Sequence, residues 1–254
     1  MKFSVVIVNY NTKHALRAAL RSIQVVGTAS GCFCEIIVVD NASADGSAAM
    51  VTTEFPAAIL LTNEENRGFA AAANQGAKRA SGDVILFLNS DAELSADFLM
   101  AAEKALAAQS GLAIVAPALH DSAGVAERQS HGRFPTLART LFRRIAPRPT
   151  DDPAAVDWVS GAALAIRRPI FEELGGFDER FFMYFEDVDL CWRAKQTGYA
   201  VRFLPDVAIL HHRGASLRID TVRTDLYKRS QLAFFRKHYG RLPAALIGFL
   251  RRFR

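Results

Sequence analysis

The hydrophobic pattern alternates between two periods over the first 116 residues. Phe3–Val8 is an unbroken, β-branched apolar run, as expected of a strand buried on both faces. Lys13–Val26 then places Ala15, Leu16, Ala19, Leu20 and Ile23 at helical spacing. The alternation continues, predicting strands at Glu35–Val39, Ile59–Thr62, Val84–Leu88 and Leu112–Ala116. Helices are predicted between them at Asp45–Phe55, Phe69–Ala80 and Ala96–Ala108. Strand, helix and strand at this spacing imply right-handed crossovers. The fold class is α/β, with a mostly parallel twisted sheet flanked by helices on both faces.

The second half is less regular. Leu119–Pro149 reads as a long loop region, broken by Gly124, Gly132, Pro135, Pro147 and Pro149. It carries Arg128, Arg133, Arg139, Arg143, Arg144 and Arg148, and long loops in compact domains tend to be functional or mobile. Val156–Ile166 predicts a strand broken at Ser160-Gly161. Glu186–Gln196 predicts a helix, and Ala200–Phe203 and Val207–Leu210 predict strands. Near the end, Leu246, Phe249, Leu250 and Phe253 recur at helical spacing beside Arg251, Arg252 and Arg254.

Composition narrows the class. With 50% hydrophobic and 22% charged residues in 254, a disordered or fibrous chain is excluded. The net charge of +5 is unevenly placed. Arg213–Arg254 holds 11 Lys/Arg and two acids, net +9, whereas the first 212 residues hold 20 basic and 24 acidic residues, net −4. The pI of 9.3 therefore belongs to a tail, and no nucleic-acid partner is expected. Three cysteines, Cys32, Cys34 and Cys191, argue against a disulfide scaffold and fit a reducing compartment. Cys32 and Cys34 have no second pair to complete a zinc site. The apolar start is too short for a signal-peptide core, and no stretch approaches the roughly 20 apolar residues of a membrane span.

Open α/β sheets bind ligands at the C-terminal ends of their strands. Four predicted tips carry related polar chemistry there: Asn9-Tyr10-Asn11, Asp40-Asn41-Ala42-Ser43, Asn63 to Gly68, and Asn89-Ser90-Asp91. The first tip lacks the glycines of a dinucleotide fingerprint, and there is no phosphate-binding glycine loop. Something else must neutralise the phosphates of any nucleotide. Asp91, lifted to the sheet edge by Val84–Leu88, can bind Mg²⁺ or Mn²⁺, hard ions that take oxygen ligands and bridge diphosphates. Downstream, Glu186, Asp187 and Asp189 put three carboxylates in four residues, and His211 and His212 end a strand.

These pieces resemble a known family. Ser4–Asn11 (SVVIVNYN), Val39–Asp45 (VDNASAD), Asn66–Ala70 (NRGFA), Asn74–Gly76 (NQG), Phe87–Ala92 (FLNSDA), Gly175–Asp178 (GGFD), Tyr184–Leu190 (YFEDVDL) and His211 look like family 2 glycosyltransferases of the GT-A fold. The resemblance is closest to the bacterial rhamnosyltransferase-like branch and covers about residues 3–216. It implies a single GT-A domain over 1–216, with a nucleotide-sugar half at 1–116, a mixed acceptor half at 117–216, and a basic helical tail at 217–254. It also implies a nucleotide-sugar donor, a divalent metal and inversion at the anomeric carbon.

Carried over by position, Asn9, Tyr10, Asn11 and Asp40 would surround the base and ribose. Asn41, Arg67, Asn74 and Ser90 would lie near the nucleotide. Asn89-Ser90-Asp91 matches the family's D-x-D position, with Asp91 the metal ligand and Asn89 a neutral amide in place of the first acid. His211 would be a further metal ligand, with His212 as alternative. Asp187 is favoured as the general base and Glu186 as a group orienting acceptor hydroxyls; adjacent acids tend to push one pKa up. Trp158 resembles the acceptor region, where its ring could stack on a sugar, or it is a core residue. Gly161, Gly175 and Gly176 read as turn or packing residues.

The expected activity is transfer from a dTDP- or UDP-sugar, with dTDP-L-rhamnose first, to a glycan or lipid-linked acceptor of bacterial surface polysaccharide. Two rivals stand beside it. A nucleotidyltransferase would want a basic glycine loop after the first strand. A non-catalytic sugar-binding module would not need Asp91, Asp187 and His211 together. The tail suits a helix lying on an anionic membrane, placing a cytoplasmic enzyme at the inner face of the plasma membrane, or else a helix packed on the domain.

Overall fold

The computed structural model describes residues 1–30, 34–127, 130–141, 156–212 and 220–250. The first half runs β1 (Phe3–Asn9), α1 (Lys13–Ser30), β2 (Cys34–Asp40), α2 (Ser47–Glu54), β3 (Ile59–Thr62), α3 (Phe69–Ala77) and β4 (Val84–Leu88). A short β5 (Ala92–Glu93) then leads into α4 (Ala96–Ala108) and β6 (Leu112–His120). The second half holds β7 (His131–Gly132), α5 (Leu137–Leu141), β8 (Trp158–Val159), β9 (Ala163–Arg167), α6 (Arg168–Glu173), α7 (Glu186–Gln196) and β10 (Ala200–His211). It ends in α8 (Asp220–His238) and α9 (Arg241–Leu250).

Eight strands form one sheet in the order β3-β2-β1-β4-β9-β6-β10-β5. The pairs β1–β2, β2–β3, β1–β4 and β6–β10 are parallel, while β9 and β5 run antiparallel to their neighbours. The apolar runs explain the central strands. On β1, Phe3, Val5 and Ile7 enter the core under α1 and α4, while Val6 enters the opposite core under α3 and α7. The Ala-rich α3 lies so close to the sheet that a Cβ at Gly76 would meet Val6 at 2.5 Å.

Three expectations change in detail. The expected loop Leu119–Pro149 holds, in its described part, the end of β6, the strand β7 and the short helix α5. The run Val156–Ile166 divides into β8 and β9, which belong to different sheets, so Ser160-Gly161 is a crossing between them. The two strands expected at Ala200–Phe203 and Val207–Leu210 are one strand, β10, with a register shift between Leu204 and Ala208. A bulge there absorbs Pro205, which cannot donate to the ladder.

A third apolar cluster sits under the C-terminal helices. Phe234 and Phe235 of α8, with Ala244 and Ile247 of α9, pack on Phe181, Phe185 and Val188 around the start of α7. The expected boundary near residue 216 and the arginines at 251, 252 and 254 lie outside the described residues.

Candidate active site

The strand tips expected to receive a nucleotide are welded to one another. Asn9 is fully buried and donates its amide to Asp40 Oδ1 at 2.8 Å and to Ser43 Oγ at 3.0 Å. Ser43 in turn donates its backbone N–H to Asp40 Oδ2 at 3.0 Å. Thr12 Oγ1 donates to Asn9 Oδ1 at 2.6 Å and lies 2.8 Å from Ser90 Oγ, joining the tips of β1 and β4. Asn41 donates to Asn66 Oδ1 at 2.8 Å and accepts from Asn63 at 3.0 Å and from the Arg67 backbone at 3.2 Å. Asn9, Asn41 and Ser90 are thus buried framework, while Asn11 and the Arg67 side chain are exposed and Tyr10 is half-buried.

Asn74 stands apart from that set. Its amide donates to the Phe177 carbonyl at 2.8 Å and its oxygen accepts from the Phe177 N–H at 2.9 Å. It clamps the Gly175-Gly176 turn, both glycines having left-handed φ of 75° and 74°.

The β10–β5 pairing brings together residues 120 positions apart. His211 stands opposite Ala92, and its Nε2 lies 3.2 Å from Asp91 Oδ1. Its other nitrogen, Nδ1, lies 2.8 Å from Glu127 Oε1. Strand alternation sends His212 the other way, to Glu93 Oε1 at 2.7 Å. Burial works against charging the His211 ring, but bonds to Asp91 and Glu127 outweigh it and push its pKa up to about 9.

Among the described residues, no group of three or more His, Cys, Asp or Glu side chains is arranged to hold a metal. Glu127 faces the far side of the ring, so the described residues offer two converging ligands, Asp91 and His211. That donor set suits Mg²⁺ or Mn²⁺ completed by diphosphate oxygens and water, since these ions are commonly held by few side chains plus substrate phosphates.

The acid pair opens α7. Asp187 Oδ2 accepts from the Gly161 N–H at 2.8 Å, and Oδ1 accepts from the Val188 N–H at 2.7 Å. Glu186 is 7% exposed, and its Oε2 has no hydrogen-bond partner among the described residues. Burial, then the neighbouring Asp187 charge, holds the Glu186 carboxyl well above the usual range. Burial also raises Asp187, opposed by its backbone donors. Of the two, Asp187 is the better-supported anion. The crossing that carries Gly161 also reaches the β4 tip: Ala162 accepts from the Asn89 N–H at 2.9 Å. The rim Asn89-Ser90-Asp91 and the acid pair are therefore linked through Gly161-Ala162.

Trp158 is half-buried, its indole N–H donating to the Arg133 carbonyl at 3.1 Å and its ring packed against the second and third clusters. The third acid of the motif, Asp189, is fully buried and engaged by Arg193 at 2.8 Å, Lys237 at 2.6 Å and His238 at 2.7 Å. Sequence reasoning missed Glu127, Thr12, Gly161 as a donor to Asp187, and the α8 contacts of Asp189. None has a local motif; each is defined by a partner distant in the chain.

The family profile for glycosyl transferase family 2 matches residues 4–175. The chain belongs to this family. Its enzyme class is glycosyltransferase, which removes both rival readings. It is 28% identical over 209 residues to the N-acetylglucosaminyl-diphospho-decaprenol L-rhamnosyltransferase of Mycobacterium tuberculosis, covering 71% of this chain and 67% of that one. In fold it is similar to the mannosyltransferase PcManGT of Pyrobaculum calidifontis, solved with GDP-Man and Mn²⁺. That match has a TM-score of 0.66 at 20% identity and covers 93% of this chain and 63% of that one. It is also similar to Staphylococcus aureus TarS 1–349 bound to UDP-GlcNAc, with a TM-score of 0.59, 21% identity, and coverage of 84% and 59%. The chain thus spans about six tenths of the length of these two solved structures. The α/β architecture expected of a GT-A glycosyltransferase is the one observed.

Proposed function

We propose that this glycosyltransferase moves a sugar, with inversion, from a nucleoside-diphosphate donor to a glycan or lipid-linked acceptor. The donor class favoured is dTDP-L-rhamnose, then UDP-sugars. The relative from Mycobacterium tuberculosis is named for L-rhamnose transfer to a diphospho-decaprenol acceptor. The single observation that carries the reaction is the Asp187 carboxylate, held by the Gly161 N–H at 2.8 Å on a crossing bonded to the Asn89-Ser90-Asp91 rim.

In this reading Tyr10, Asn11 and Asp40 receive the base and ribose, with Asn9 and Asn41 fixing the tips behind them. Arg67 approaches the nucleotide from the β3 side. Asp91 and His211 would hold Mg²⁺ or Mn²⁺, which when bound supplies Lewis-acid stabilisation to the leaving diphosphate. Asp187 accepts the proton of the acceptor hydroxyl as that oxygen forms its bond to the anomeric carbon. The bond from that carbon to the diphosphate breaks on the opposite face and the nucleotide leaves with its electron pair. Glu186, buried beside Asp187, orients acceptor hydroxyls through its Oε2, which has no partner among the described residues. Trp158 contributes at most a ring edge, because its N–H and much of its surface serve packing.

Membrane association belongs to the same reading. The inner face of α9 is Ala244 and Ile247, whereas Leu242, Leu246 and Phe249 are 84%, 41% and 57% exposed on the outer face. Arg241 is exposed at the start of this helix. Such a face suits the headgroup region of an anionic inner membrane, where a lipid-linked acceptor resides. No helix among the described residues is long and apolar enough to cross. Turnover of dTDP-L-rhamnose, UDP-GlcNAc and GDP-mannose by the purified chain, with and without chelator, tests the reading. Metal-dependent release of nucleotide from one of them is expected; none from any would contradict it.

A further inference from the structure

Helix α7 begins from an unusual backbone. Tyr184 and Phe185, immediately before Glu186, both have left-handed φ, 68° and 70°. Neither is glycine, and a Cβ makes this region unfavourable. Such conformations persist only where the surroundings over-determine them. Here the surroundings come from α8. The Ser230 hydroxyl donates to the Met183 carbonyl at 2.7 Å, on the peptide directly ahead of the turn. The Phe185 ring packs 5.5 Å from Phe234 and 5.2 Å from Tyr227, and Tyr184 lies 6.0 Å from Tyr227. Beyond the acid pair, α8 takes hold again, through Lys237 and His238 on Asp189 at 2.6 and 2.7 Å.

Ser230, Phe234, Lys237 and His238 recur at helical spacing, so one face of α8 grips α7 on both sides of Glu186-Asp187. The same loop touches the donor side: the Phe182 carbonyl accepts from the Phe69 N–H at 2.7 Å, next to Arg67-Gly68. A Cβ at Gly68 would meet that carbonyl oxygen at 2.5 Å. The segment matched by the family profile ends at residue 175, well before α8.

We propose that Ser230 is a positioning residue for the acid pair. By holding the Met183 carbonyl it fixes the left-handed Tyr184–Phe185 turn and so sets where Asp187 stands relative to the acceptor. The proposal rests on Asp187 being the general base. The C-terminal helix is then part of the catalytic half of the enzyme and not an appended tail.

The test is a double-mutant cycle in the full chain between Ser230→Ala and Tyr184→Gly. Glycine adopts the left-handed region freely, so at position 184 it relieves one of the two strained residues and lessens the turn's need for support. Ser230→Ala alone should lower kcat at least tenfold with donor KM within twofold, because the donor tips are untouched. In the Tyr184→Gly background the same substitution should cost less than threefold. Hydrogen–deuterium exchange gives a second readout that needs no substrate. Amides of Glu186 to Asp189 should exchange at least tenfold faster in Ser230→Ala, with β1 and β4 unchanged, and return toward normal in the double variant. An equal loss in both backgrounds, or wild-type turnover and exchange in Ser230→Ala, would overturn the proposal. Full activity of Asp187→Asn would instead remove the base assignment, while the exchange data would still report on the turn.

Discussion

Glu127 meets His211 at 2.8 Å, on Nδ1, the ring nitrogen turned away from Asp91. A carboxylate on the far nitrogen of a metal-binding histidine fixes ring orientation and raises ligand basicity. Glu127→Ala should therefore weaken Mn²⁺ binding about 10–100-fold in the presence of UDP. Asp91→Ala should remove it, and both proteins should keep their wild-type circular dichroism. Titration calorimetry reads this directly. Unchanged Mn²⁺ affinity in Glu127→Ala would take Glu127 out of the site.

The buried charge cluster gives a pH-dependent stability. Burial works against ionising Asp178 and Asp189, yet bonds from Arg180 and Lys237 to the first, and from His238, Lys237 and Arg193 to the second, hold both below the usual carboxylate range. A depressed folded-state pKa stabilises above the unfolded value, and that stability is lost as pH falls toward the folded one. Lys237→Met should thus cost about 2 kcal/mol at pH 7, with the difference shrinking as pH falls below the ordinary carboxylate value of about 3.9. Urea unfolding at pH 7 and near pH 3 checks the sign. An equal or larger difference at the lower pH would contradict it.

The outer face of α9 predicts lipid binding that can be removed without unfolding. Leu242 and Leu246 are exposed, so Leu242→Glu with Leu246→Glu leaves the Ala244 and Ile247 contacts in place. Co-sedimentation of the wild type should need anionic vesicles and weaken at high salt. The double variant should stay in the supernatant. Equal pelleting of both proteins would return this face to another role.

Much of the donor half was legible because its signals are local. Strands such as Val84–Leu88 read as apolar runs, and four of the five predicted in that half end in an Asn/Asp tip. The acceptor half is defined by distant partners, which no window of sequence holds. Two strands were expected on either side of Pro205, whereas a bulge carries β10 through it. Asn74, expected near the nucleotide, has its amide engaged on both sides by Phe177. Lys237 and His238 fall in the segment expected to be a basic helical tail, and they are paired with Asp189 against α7. Charge counting cannot distinguish a half-buried, paired lysine from a solvated one; Lys237 is half-buried on the helix that Phe234 and Phe235 pack against the start of α7.

The central claim is that Asp187 removes the acceptor proton in an inverting transfer. Asp187→Asn keeps the shape and removes the basicity, and its single amide oxygen can accept from one of the two backbone N–H groups, Gly161 or Val188, that hold the aspartate. With the donor that the wild type turns over, its kcat should fall about 10²–10⁴-fold while donor affinity holds. The wild-type product should carry the anomeric configuration opposite to the donor's. Near-normal transfer by Asp187→Asn, or a product that retains the donor's configuration, would contradict the account.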